Sequence, residues 1–175
     1  MTPRLRNPET SELRRRSSDA GTAAHRIGLD IDGTITADFY FFADVARKWL
    51  QAGREVHIVS ARSPEARVET LVELKRLGVE FSALYLLPHY GVAWTLCPHA
   101  ELDWYHRHLW LKVNYALTHG VTHFVDDDPM VLGLFARFAP EVTALSFDNR
   151  HQLASPSRGS TFQSRRERGD SENER

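Results

Sequence analysis

Arg26-Ile27-Gly28-Leu29-Asp30-Ile31-Asp32-Gly33-Thr34 is the stretch that decides the reading of this chain. A short, mainly apolar run leads straight into two aspartates and a glycine, as in a buried parallel strand whose carboxyl end turns into a polar loop. Working outward, similar runs recur at Val56-His57-Ile58-Val59-Ser60, Ala83-Leu84-Tyr85-Leu86-Leu87, His123-Phe124-Val125 and Val142-Thr143-Ala144-Leu145. Helix signals fill the intervals. Phe42, Val45, Ala46 and Trp49 recur at helical spacing, and Ser63-Pro64 offers an N-cap followed by proline at the first helical position, with Gly78 closing that helix. Leu109, Lys112, Val113 and Ala116 mark another helix, closed by Gly120, and a last one runs from Pro129 through Phe138. Strands alternating with helices predict an α/β domain with a mainly parallel central sheet. No internal repeat is present.

A chain of 175 residues with 42% hydrophobic content supports one domain with a real core. The lone cysteine, Cys97, excludes an intrachain disulfide. No signal-peptide pattern or apolar stretch of spanning length is read, so a cytoplasmic protein with no membrane contact is expected. Residues 1–26 hold 6 basic against 3 acidic residues and 154–175 hold 5 against 4, leaving 11 basic and 16 acidic between them. The expected organisation is a disordered basic tail over 1–25, a folded domain over 26–153 and a second disordered tail over 154–175. The run Arg14-Arg15-Arg16 is read as a solvated tail in preference to a contact for RNA, DNA or an anionic surface.

Ligands of an open α/β sheet gather at the carboxyl ends of its strands. Three strands end in Asp30-Ile31-Asp32-Gly33-Thr34, Ser60-Ala61-Arg62 and Asp126-Asp127-Asp128-Pro129. Carboxylates converging there would repel one another unless a cation sat among them, and oxygen-only ligands beside a phosphate suit Mg²⁺. Asp30 and Asp32, two positions apart on an extended chain, can point to the same face. That pairing suits a nucleophile, Asp30, and a general acid then base, Asp32. Ser60 can donate a hydrogen bond to a phosphoryl group and Lys112 can neutralise developing charge. All five carboxylates are candidates for that cation, and Thr34, Ala61 and Arg62 at the same strand ends are the candidate substrate-binding residues.

Taken in order, Asp30-Ile31-Asp32-Gly33-Thr34, Ser60, Lys112 and Phe124-Val125-Asp126-Asp127 resemble the four motifs of the haloacid dehalogenase superfamily, over roughly residues 26–148. The resemblance implies a three-layer α/β/α Rossmann-like domain and a phosphohydrolase that cleaves phosphate monoesters through an aspartyl-phosphate on Asp30. It also implies Mg²⁺ held by the Asp30 carboxylate, the Asp32 backbone carbonyl and, by register, Asp126 with Asp127 beside it. Asp128 is extra to the pattern, and Lys75 is a weaker rival to Lys112. Neither interval between motifs has room for a cap domain, so an open site is expected. Ser60-Ala61-Arg62 with Val125-Asp126-Asp127 looks similar to the 3′-phosphatase half of polynucleotide kinase/phosphatase enzymes, without their kinase P-loop. A nucleotidase or other small-molecule phosphatase, or a non-catalytic binding module on the same fold, are the alternatives. Nucleic acid is thus a possible partner, although an acidic centre is not the surface that phosphate backbones usually meet.

Trp94, Trp104, Tyr105, Trp110, Tyr85 and Tyr90 crowd one region. Packing is the commoner role for such side chains, with base stacking as the functional one, and the segment 88–108 is expected to rim the site. Cys97, His99, His106 and His108 do not match the usual zinc spacings, and the histidines are read as surface residues near the entrance.

Overall fold

The computed structural model describes residues 25–153. Both expected tails, apart from His25, therefore lie outside the described residues. Five parallel strands, β1 (Arg26–Leu29), β2 (Glu55–Ser60), β3 (Ala83–Leu86), β4 (His123–Asp126) and β5 (Thr143–Ser146), form one sheet in the order β3-β2-β1-β4-β5. The register sets Leu29 against Ile58 on one side and Val125 on the other. At Gly28 an added Cβ would run into the Phe124 ring of the neighbouring strand, so only glycine fits there.

Alternation along the strands divides the core into two clusters, one on each face of the sheet. Ile27, Leu29, Val56, Ile58 and Val125 pack with Phe42, Val45 and Trp49 of α1 (Phe39–Gln51) and Leu74 of α2 (Arg67–Arg76). Phe124 and Val59 belong to the other face, under α3 (Tyr90–Leu96), α4 (Trp104–Thr118) and α5 (Pro129–Phe138). This is the three-layer α/β/α Rossmann-like arrangement with an all-parallel sheet. No helix among the described residues is long and apolar enough to cross a membrane.

Asp38, Asp103 and Asp128 cap α1, α4 and α5 by accepting from Phe41, His106 and Met130 backbone N–H groups at 3.2, 2.8 and 2.8 Å. Ser63 differs from its expected role. Its side chain makes no cap bond, and Pro64–Ala66 form a short 3₁₀ turn before α2 begins at Arg67. The 88–103 connection also contains a helix, α3, that the sequence pattern did not signal.

Candidate active site

The order in which strands join the sheet reverses between β1 and β4: β1 leads by α1 to β2 on one side, whereas β4 leads by α5 to β5 on the other. Such a switch point leaves a crevice beyond the strand ends. Asp30 follows the last residue of β1, and its backbone N–H donates to the Val125 carbonyl at 3.0 Å, which fixes it beside the end of β4. Asp126 ends β4 and is 1% exposed, against 4% for Asp30. Lys112, on the inward face of α4 and 3% exposed, donates from Nζ to Asp30 Oδ1 at 2.8 Å and to Asp126 Oδ2 at 2.7 Å. The other Asp126 oxygen accepts from the Asp128 backbone N–H at 3.0 Å.

One cation is shared by two buried carboxylates. Burial raises the Asp30 pKa to about 7, with the Asp126 charge adding to the rise and Lys112 opposing it. Burial raises Asp126 as well, again against Lys112. Burial alone would lower Lys112, but the two carboxylates outweigh it and hold it up. Asp127 completes the acidic set. Ligand oxygens of Asp30, Asp126 and Asp127 lie within 4.8 Å of one another. Hard oxygen donors, two of them buried with only one counter-charge, fit a divalent cation such as Mg²⁺.

Beyond Asp30 the backbone leaves the strand in a wide turn over Ile31–Ile35, with Gly33 at φ +79°. A side chain at Gly33 would be strained there and would strike the Asp127 carboxylate. Thr34 Oγ1 donates to that carboxylate at 3.2 Å, tying the turn to the end of β4. Asp32 does not share the surroundings of Asp30, because the turn breaks the two-residue alternation. Its side chain is 61% exposed and pairs with Arg62 through Nε at 2.8 Å and Nη2 at 2.5 Å. Arg62 also reaches Glu73 of α2 at 2.5 Å. Hydrogen bonding from Arg62 lowers the Asp32 pKa, so Asp32 is held ionised. Ser60, 1% exposed at the end of β2, accepts at Oγ from the Arg62 backbone N–H at 3.3 Å, and Ala61 is exposed between them.

The structure thus brings Asp30, Lys112, Asp126, Asp127 and Thr34 together, and links Asp32 to Ser60 through Arg62. Asp128 is the α5 cap. Lys75 is exposed in the last turn of α2, leaving Lys112 as the lysine of the cluster. Cys97, His99 and His106 have separate surroundings: Cys97 is in the core, His99 packs on Phe138 and Trp110, and His106 Nδ1 meets Asp103 at 2.9 Å. His108 is not on the surface. It is buried one helical turn from Lys112, a neighbour that the i, i+4 spacing would have revealed.

No protein-family model and no curated protein matches the chain. Among solved structures, a chain of a Pnkp1/Rnl/Hen1 complex is similar with a TM-score of 0.50 and 16% identity, over 72% of this chain and 47% of that one. The chain therefore spans about half the length of that neighbour. A Vibrio cholerae protein assigned as a 3-deoxy-D-manno-octulosonate 8-phosphate phosphatase is also matched, with a TM-score of 0.35 and 16% identity, over 74% of this chain and 69% of that one. At this identity the first likeness is one of fold.

Proposed function

We propose that the chain is a Mg²⁺-dependent phosphohydrolase of the haloacid dehalogenase type, without a cap domain, acting on phosphate monoesters. The observation that carries the reading is the buried Asp30–Lys112–Asp126 bridge with Asp127 at the switch point of the sheet. A fold with no need of charge would not bury two carboxylates around one ammonium, since such groups cost stability unless fully compensated.

Asp30, Asp126 and Asp127, with the Asp32 backbone carbonyl, would hold Mg²⁺, which when bound supplies positive charge against the phosphate and keeps Asp30 ionised. An Asp30 carboxylate oxygen attacks phosphorus, the bond from phosphorus to the ester oxygen breaks, and Asp32 gives its proton to the leaving oxygen. Water then attacks the aspartyl-phosphate, Asp32 takes a proton from it, and inorganic phosphate leaves with Asp30 restored. Ser60 and Lys112 offer donors to the phosphoryl oxygens. Asp32 can carry a proton only when Arg62 releases it, so the incoming phosphate takes over the guanidinium that Asp32 holds in the free protein.

The test is phosphate release with and without Mg²⁺ from a 3′-phosphorylated oligonucleotide, a 5′-phosphorylated one, nucleoside monophosphates and sugar phosphates. Mg²⁺-dependent release, reduced at least ~10³-fold in Asp30→Asn, is expected from loss of a nucleophile. No release from any ester would overturn the reading.

A further inference from the structure

Arg62 stands between two carboxylates that hold it unequally. Its Nε and Nη2 edge meets Asp32, on the turn after β1, while Nη1 faces the other way and donates to Glu73 Oε2 at 2.5 Å. The same nitrogen lies 3.5 Å from Thr70 Oγ1. Thr70 and Glu73 are three residues apart on α2, so they present one face of that helix to the guanidinium.

The two ends of this clamp differ in rigidity. The Asp32 side chain is 61% exposed on a turn, whereas that of Glu73 is 28% exposed on a helix and its neighbour Thr70 is fully buried. Solvent therefore screens the first pairing more than the second. A guanidinium offers its Nε–Nη2 edge to a bidentate oxyanion, so a phosphate arriving at Arg62 competes with Asp32 and leaves Nη1 untouched.

Resting on the phosphohydrolase reading, in which phosphate takes over the guanidinium from Asp32, we propose that Glu73 is a positioning residue that retains Arg62 Nη1 while Asp32 yields the Nε–Nη2 edge. Asp32 and the substrate then exchange places on one fixed guanidinium. Without Glu73 the long arginine side chain would follow the exposed Asp32 carboxylate, and the arriving phosphate would have to order it at a cost in affinity. The sign of the effect separates this role from a bland one. Glu73 is a negative charge near a site for an anion, so by repulsion alone its removal would tighten phosphate binding.

The test is orthophosphate binding to the full chain with Mg²⁺, measured by calorimetry, beside KM for whichever ester the substrate panel shows to be cleaved. Glu73 is partly solvated and alanine favours a helix, so Glu73→Ala should fold, with thermal melts as the check. Its dissociation constant for orthophosphate should rise about tenfold, the order that one hydrogen bond to a charged group contributes, and KM should rise with it. Glu73→Gln keeps an acceptor oxygen at the same reach without the charge, and it should recover most of the loss. In an Arg62→Ala background, adding Glu73→Ala should bring no further weakening, because Glu73 acts through Arg62. An affinity unchanged or tighter in Glu73→Ala, or an equal loss with Arg62 already removed, would overturn the anchor and leave the phosphohydrolase standing. No ester cleaved, with orthophosphate still bound more weakly in Glu73→Ala, would overturn the phosphohydrolase alone. Neither cleavage nor orthophosphate binding in the unsubstituted protein would overturn both readings.

Discussion

The two edges of the sheet both carry polar networks, and they treat their carboxylates in opposite ways. At the amino edge Glu55 receives Arg26 Nε at 2.8 Å and faces His57 Nε2 at 2.9 Å, while His57 Nδ1 meets the Tyr115 hydroxyl at 3.0 Å. Hydrogen bonds from Arg26, then His57, hold the Glu55 pKa down to about 2. At the carboxyl edge burial drives Asp30 up to about 7, and four carboxylates, Asp30, Asp32, Asp126 and Asp127, face two cations, Lys112 and Arg62. The first network closes on itself within the protein. The second is left short of positive charge, and that shortage, which the proposed binding of a cation and a phosphate would use, distinguishes it from a structural brace.

The sharpest way to break the comparison is Lys112→Met. Removing the sole counter-charge of two buried carboxylates should cost ~3–5 kcal/mol of stability. Added Mg²⁺ should return part of that loss, because a ligand of the native state stabilises it. Thermal melts with and without Mg²⁺ check both, and an unchanged melting temperature would remove the claim that the edge is short of cations.

The effect of pH comes next in size. A metal must displace the proton that a raised Asp30 carries, so apparent Mg²⁺ affinity should weaken as pH falls through about 7, approaching ~tenfold per pH unit below it. Calorimetric titrations across that range measure it. The two edges should also pull metal-free stability in opposite directions. Asp30 titrates higher in the folded chain than its ordinary 3.8, so its contribution improves as pH falls from about 7 toward that value. Glu55 titrates lower, so its contribution is whole above about 4.5 and is lost as pH falls toward about 2.

Glu55→Gln should have the smallest effect. Its side chain is 40% exposed, so the ion pair with Arg26 is screened and about 1 kcal/mol is expected. Phosphatase activity should persist, since Glu55 begins β2 and the site lies at its other end. Denaturant midpoints and phosphate release on one preparation decide this, and a loss of turnover without loss of stability would contradict the separation of the two edges.

Legibility in the sequence followed the same division between backbone pattern and side-chain pairing. The strand ends at Asp30, Ser60 and Asp126 could be read because apolar runs stop abruptly at polar residues. Lys112 could be placed by helical spacing. The Arg62 clamp on Asp32 and Glu73 could not, because it joins residues 30 and 11 positions apart in a geometry set by the turn after β1. The same turn separated Asp32 from Asp30, where simple alternation would have paired them. Tyr90–Leu96 escaped notice because one short helix beginning Tyr-Gly has too few buried positions, Ala93 alone, to display a period. His108 was grouped with Cys97, His99 and His106 by proximity in sequence, whereas its spacing of four from Lys112 carried the better signal.

The central claim, that Asp30 is a nucleophile poised beside a bound cation, is tested without knowing the substrate by adding beryllium fluoride, a mimic of an aspartyl-phosphate. The account predicts protein-bound ¹⁹F resonances and a raised melting temperature that require Mg²⁺ and vanish in Asp30→Asn. The absence of bound fluoride in the unsubstituted protein with Mg²⁺, or an equal signal in Asp30→Asn, would contradict it.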